Sequence, residues 1–229
     1  MRRRSRGPQI TYDITGGPLR ELFRREDELK TAVCFKSPQV ALKELKPFIL
    51  NGRQIRTGKQ LKRFHNLRPR EILANWLLCA AINHSTQPGR IDFASDPRFE
   101  GCDGLIVDAV TGQISQTEHV MAFRRDEHAD FDGNALILKA IEQKVDRGPS
   151  YAMGKTLVVF PEGAGEWVPR DVRAAVPASF AFDALWVIGR CSLRDGEYAY
   201  NVVRLRPGPF TRWRVVLDLR KDDPDWSIE

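Results

Sequence analysis

An aspartate and a glutamate fifteen positions apart, Asp103 and Glu118, offer the clearest chemistry in this sequence. They stand in the stretch 102–121, CDGLIVDAVTGQISQTEHVM. It reads as two strands, 105–110 and 113–121, joined by a tight turn at Thr111-Gly112. Asp103 sits at the entrance of the first strand, and Glu118 lies inside the second among Ile114, Val120 and Met121. A carboxylate in apolar surroundings is costly unless it is paired, hydrogen-bonded or bound to a cation. Two of them arriving from neighbouring strands suit a hard divalent ion with oxygen ligands. Strand alternation puts Gln116, Glu118 and Val120 on one face, with Thr117 and His119 on the other. Gln116 is therefore a candidate polar helper beside the ion. The His119 ring is expected to point away from it, as packing or as a hydrogen-bonded surface histidine. Asp108, of opposite parity to Asp103, is expected to stabilise the turn.

The elements that must position these groups follow from periodicity and punctuation. Residues 1–17 form a basic arm without periodicity, and a polar helix is expected over 19–30. A second helix starts at Ser37-Pro38 with Val40, Leu42 and Leu45 apolar, and Pro47 is expected to stop it. From Lys43 to Arg70 the charge has one sign: Lys43, Lys46, Arg53, Arg56, Lys59, Lys62, Arg63, Arg68 and Arg70 face Glu44 alone. Such a run suits phosphate contact, since each neutralised phosphate releases counterions; a solvated surface is the alternative. Pro69 opens a helix whose Ile72, Trp76, Leu77, Ala80 and Ala81 repeat at helical spacing, ending near Asn83-His84. Glu71 lies in its first turn, where a carboxylate favours the dipole.

A short strand over 90–94 leads through Asp96-Pro97 to the hairpin, and a charged loop over 124–132 follows it. Then come a helix over 133–147, a doubly buried strand over 155–160, a helix over 167–178 and a buried strand over 184–189. Strands over 197–205 and 213–219 and a polar tail to Glu229 complete the chain. The expected architecture is α/β with a mixed sheet, divided into a basic N-terminal arm and helical region (1–66) and an α/β domain (67–229).

Composition narrows the function classes. The 229 residues are 42% apolar and 29% charged, enough for a sizeable core, and the net charge of +6 favours polyanions. Four scattered cysteines without a CxxC pair argue against a zinc ribbon or a disulfide scaffold. The histidines show no HxxxH spacing, the Gly154-Lys155-Thr156 triplet lacks the glycine of a phosphate-binding loop five residues earlier, and no GxSxG elbow exists. Apolar runs are too short and interrupted to span a bilayer, and no apolar segment follows the basic start, so a soluble, cytoplasmic protein is expected.

Over about residues 69–160 the order helix, three strands, helix, strand, with Asp103 entering the second strand and Glu118 on the third, resembles the PD-(D/E)XK nuclease superfamily. That resemblance implies a restriction-endonuclease-like α-β-β-β-α-β core and an endonuclease dependent on Mg²⁺ (or Mn²⁺). It implies metal ligation by Asp103, Glu118 and the backbone carbonyl of His119, with Glu71 as the first-helix glutamate and Gln116 beside the metal. The lysine expected two residues after the glutamate is Val120 here, and the proline before the aspartate is Cys102. Some relatives move the lysine to the following helix, where Lys144 shares a face with Ile137, Ala140 and Ile141. Lys144 is thus the implied migrated lysine, with a surface ion pair as its alternative. Lys139 falls on a polar face. Arg53, Arg56, Lys59, Lys62, Arg63, Arg68 and Arg70 would grip the backbone of nucleic acid, DNA before RNA; a homodimer is allowed for and no membrane contact is expected. Val120 equally suits a degenerate nuclease fold that binds nucleic acid or protein without cutting. An unrelated α/β domain is the third reading.

Overall fold

Proline at the first helical position and a carboxylate three residues past the cap are strong start signals, and both operate at residue 69. In the computed structural model, which describes residues 35–36, 38–61, 64, 67–94, 102–108, 110–123, 132–162 and 165–229, a helix begins there, and Glu71 Oε2 accepts the Arg68 N–H at 2.8 Å. The readings of 1–17, 19–30, Asp96-Pro97 and 124–131 lie outside the described residues. The chain is mixed α/β and divides into two units, Met1–Ile114 and Ser115–Glu229.

The first unit contains β1 (Phe35–Lys36), α1 (Pro38–Leu50), α2 (Gly52–Thr57), α3 (Pro69–Ser85), β2 (Ile91–Ala94) and β3 (Leu105–Asp108). Helix α3 is its core: Ile72, Leu73, Trp76, Leu77 and Leu78 are all buried. Two side chains tie neighbours to it. Trp76 Nε1 donates to the Pro38 carbonyl at 2.7 Å, anchoring α1. Asn83 donates to the Ile91 carbonyl at 2.8 Å and accepts the Ile91 N–H at 2.7 Å, so one amide serves both backbone groups at the start of β2. Strands β1, β2 and β3 pair antiparallel, with Phe35 opposite Ala94 and Ile91 opposite Asp108.

Pro47 does not stop α1. The helix runs through it to Leu50, because Leu42, Leu45 and Ile49 share a buried face. Burying Ile49 is worth roughly 1.5–3 kcal/mol, comparable to the ~3 kcal/mol cost of an interior proline. Helix α2, unanticipated within the basic run, is held by a single buried residue, Ile55.

The turn after β3 is longer than expected, because Asp108 draws the chain out of the strand. Its Oδ1 accepts the Val110 N–H at 2.9 Å and the Thr111 N–H at 3.3 Å, while Gly112, at φ +70°, donates to the Asp108 carbonyl. The Arg90 guanidinium, with these turn amides, holds the Asp108 carboxyl down to about 2.

The second unit comprises β4 (Ile114–Phe123), α4 (Gly133–Val145), α5 (Pro149–Ala152), β5 (Lys155–Glu162), α6 (Pro169–Ala175), β6 (Ala184–Arg194), β7 (Glu197–Arg206), β8 (Thr211–Asp218) and β9 (Asp225–Ile228). Strands β4, β5 and β6 are parallel neighbours; β6, β7, β8 and β9 continue antiparallel. Val120, Ala122, Leu157, Val159, Leu185 and Val187 pack with Ile137, Ala140 and Ile141 of α4 and Val172 of α6.

Three expectations need correction here. The helix expected over 167–178 is only Pro169–Ala175, since Pro169 sets its start and Pro177 keeps Val176 extended. The strand expected over 184–189 runs to Arg194, its outer half mostly exposed and held by antiparallel pairing with β7 rather than by apolar burial. The polar tail contains β9, where Leu217 pairs with Trp226 and caps the hydrogen-bonding edge of β8. Among the described residues no helix is long and apolar enough to cross a membrane.

Candidate active site

Glu118 is polar in a place built for apolar side chains. Strand β4 lies parallel to β5 with Gln116 opposite Lys155, Glu118 opposite Leu157 and Val120 opposite Val159. Alternation sends Glu118 and Val120, with Lys155, Leu157 and Val159, to the face that α4 covers. Glu118 is accordingly only 3% exposed.

Its charge is met from three elements. Lys144, one turn beyond Ile141 on the apolar face of α4, brings its ammonium to donate to Glu118 Oε2 at 2.9 Å. Tyr151 of α5 donates its hydroxyl to the same oxygen. Lys155 of β5 donates to Oε1 at 3.4 Å. Lys144 Nζ also reaches the Tyr151 hydroxyl at 3.2 Å, as does Arg147 Nη1 at 3.0 Å, and the Lys155 ammonium lies 4.3 Å from the Tyr151 ring centroid. Burial opposes the charged form of Lys144, but the Glu118 hydrogen bond and charge, helped by Tyr151, outweigh it and hold its pKa above the ordinary lysine value. Burial, then the bond to Glu118, pushes Tyr151 up, so it serves as a neutral donor. Gln116 is half-buried and in register with Lys155. His119, on the other face, is buried rather than at the surface.

In the first unit, Glu71 and Asp103 are close enough to feel each other. Burial, then the Asp103 charge, raises the Glu71 carboxyl to about 6, against the Arg68 N–H and the guanidinium groups of Arg70 and Arg68. Arg70 Nη2 is 3.6 Å from Glu71 Oε1. Asn75 donates to the Asp103 carbonyl at 3.0 Å, fixing the entrance of β3 on α3. Glu71 thus both caps α3 and belongs to a carboxylate pair. Arg56, Lys59, Arg68 and Arg70, with Gly58, line a cleft of about 560 Å³. Gly58 is required there by steric fit: a Cβ would lie 2.1 Å from the Gln54 carbonyl oxygen. Arg53 is exposed on α2 outside that lining, and Lys62 and Arg63 lie outside the described residues.

The ligands that the resemblance implies are of the type a hard cation takes. Every implied ligand is an oxygen, and a carboxylate offers about four lone-pair sites. Glu118 uses two on Oε2 and one on Oε1, leaving one. The Glu71–Asp103 repulsion is of the kind that a divalent ion relieves. Among the described residues, no three or more His, Cys, Asp and Glu side chains form a group that could hold a metal.

Sequence reasoning missed Lys155, Tyr151, Arg147 and Asn75. Lys155 carried a signal, since it alternates in phase with Leu157 and Val159, but only the parallel register brings it beside Glu118. Tyr151 lies past the Gly148-Pro149 break, where helical periodicity ends. No family model matches the chain, and no curated protein or solved structure matches it.

Proposed function

We propose that the chain is a metal-dependent nuclease with a restriction-endonuclease-like core, cutting phosphodiester bonds in nucleic acid, DNA in the first place. The observation that carries this reading is the buried Glu118 with the Lys144 ammonium 2.9 Å away, delivered by the helix that follows the strand. Within the second unit, Glu118 and the His119 carbonyl are the proposed ligands for Mg²⁺, which when bound would neutralise phosphate charge and acidify a coordinated water. Lys144, kept protonated by its surroundings, orients the attacking water and stabilises negative charge as it develops on the phosphate. Tyr151 and Lys155 hold the Glu118 carboxylate in one orientation. The cleft formed by Arg56, Lys59, Arg68 and Arg70 holds backbone phosphates.

The test is incubation of purified protein with circular and linear DNA and with RNA, with Mg²⁺ or Mn²⁺. The expected outcome is metal-dependent cutting, lowered at least about 10²-fold by Glu118→Ala or Lys144→Met. Cutting that survives Glu118→Ala would overturn the reading. One observation favours a second reading, a non-cutting nucleic-acid-binding fold: three donors already satisfy Glu118, as in a structural ion-pair cluster. Salt-sensitive binding without cutting in either metal would select it.

A further inference from the structure

The second unit carries a basic cleft that the reading above does not use. It measures about 680 Å³, and its lining includes Arg170, Arg173, Phe180, Phe182, Asp183 and Arg206. Three guanidinium groups face one carboxylate. Asp183 Oδ1 is engaged by the Gly154 N–H at 3.2 Å, and Arg170 lies 3.7 Å from the exposed Asp171. Among the described residues Arg173 and Arg206 have no ion-pair partner. The Arg206 guanidinium lies over the Phe180 ring, 5.5 Å from its centroid. That cation–π contact holds the guanidinium charge against the ring, at the cleft, where a phosphate can meet it.

Packed aromatic side chains link the lining of the cleft to the Glu118 cluster. Phe180 packs on Phe182 at 5.5 Å between centroids, and Phe182 meets Tyr151 edge-on at 6.1 Å; Tyr151 donates to Glu118. The Asp183 N–H also donates to the Lys155 carbonyl at 2.9 Å. From Lys155 and Arg147 around Tyr151 to Arg206 and Arg173, unit two therefore presents a run of cations along an aromatic wall.

We propose that this cleft binds the sugar-phosphate backbone of the nucleic-acid strand whose scissile bond lies at Glu118, through Arg173 and Arg206 and, more weakly, Arg170; this rests on the nuclease reading of that cluster. Phe180 is half-buried beside Arg206 and Phe182 is buried, so the contacts this cleft offers are chiefly those of its guanidinium groups. Contact is with phosphate and independent of sequence.

The experiment is fluorescence anisotropy of labelled single-stranded and duplex 30-mers in EDTA, where no metal-dependent cutting occurs, as a function of salt. Each neutralised phosphate contributes about 0.7–0.9 to the slope of log K against log[salt], or about five- to eightfold in affinity between 1 M and 0.1 M. Arg173→Gln and Arg206→Gln should each lower the slope by about one unit and the affinity at 0.1 M salt several-fold. The pair together should lower the slope by about two. Arg194→Gln, exposed at the opposite end of β6, matches the charge change and should leave the slope unaltered. Slopes for Arg173→Gln and Arg206→Gln equal to wild type, with their melting curves unchanged, would overturn the cleft. A wild type that binds through these arginines but never cuts would remove the nuclease reading and keep the cleft. A wild type that cuts with unaltered slopes in both variants would do the reverse.

Discussion

Replacing Glu118 with Gln keeps the size of the side chain and removes the charge that Lys144 and Lys155 face. Breaking a fully buried pair by deleting one partner costs about 3–5 kcal/mol. Here the lysine side chains keep 11% and 15% of their exposure, so the ammonium groups recover some hydration and the expected loss is about 2–3 kcal/mol. Lys144→Met alone should cost less, about 1–2 kcal/mol, because Tyr151 and Lys155 still donate to Glu118. The double variant should be more stable than the sum of the two losses implies, by about 1–2 kcal/mol. Urea unfolding followed by tryptophan fluorescence measures all three. The pH profile supplies a second handle. The folded-state pKa of Lys144 is raised above 10.5, so its stabilising contribution is present below that pH and is lost as pH rises through the folded value. The penalty of Glu118→Gln should therefore shrink in strongly alkaline solution. Losses that add to within about 0.5 kcal/mol would refute the coupling between Glu118 and Lys144.

Glu71→Gln retains the carbonyl acceptor for the Arg68 N–H but removes the titration. The carboxyl shifts from 4.5 to about 6 on folding, a stabilising contribution present below pH 4.5 and lost as pH rises through 6. The variant should thus gain about 2 kcal/mol on wild type between pH 4 and pH 7 in chemical denaturation; a pH-independent difference would contradict the raised carboxyl of the buried Glu71. Asn83→Ala strands both backbone groups of Ile91 and should cost about 3 kcal/mol by urea unfolding, with a loss below about 1 kcal/mol counting against that bridge.

Patterns that act over a few residues were legible in the chain. Pro69 with Glu71 marks the start of α3, the apolar repeat of α4 ends on Lys144, and alternation separates Glu118 from His119. Each of these follows from backbone geometry and local hydrogen bonding, which depend on neighbours in sequence. Pro47 misled because a proline's cost is local while the burial of Ile49 that offsets it is not. Strand β9 stayed hidden because its residues alternate too weakly to signal a strand, and its pairing partner β8 supplies the reason it forms. The same division holds at the site. That Glu118 needs a cation could be read from its apolar neighbours. That Lys155 and Tyr151 answer it beside Lys144, and that Arg206 is held against Phe180, depends on strand register and on chain reversals between distant segments. Those are decided by the packing of the whole sheet against its helices, which no local window contains.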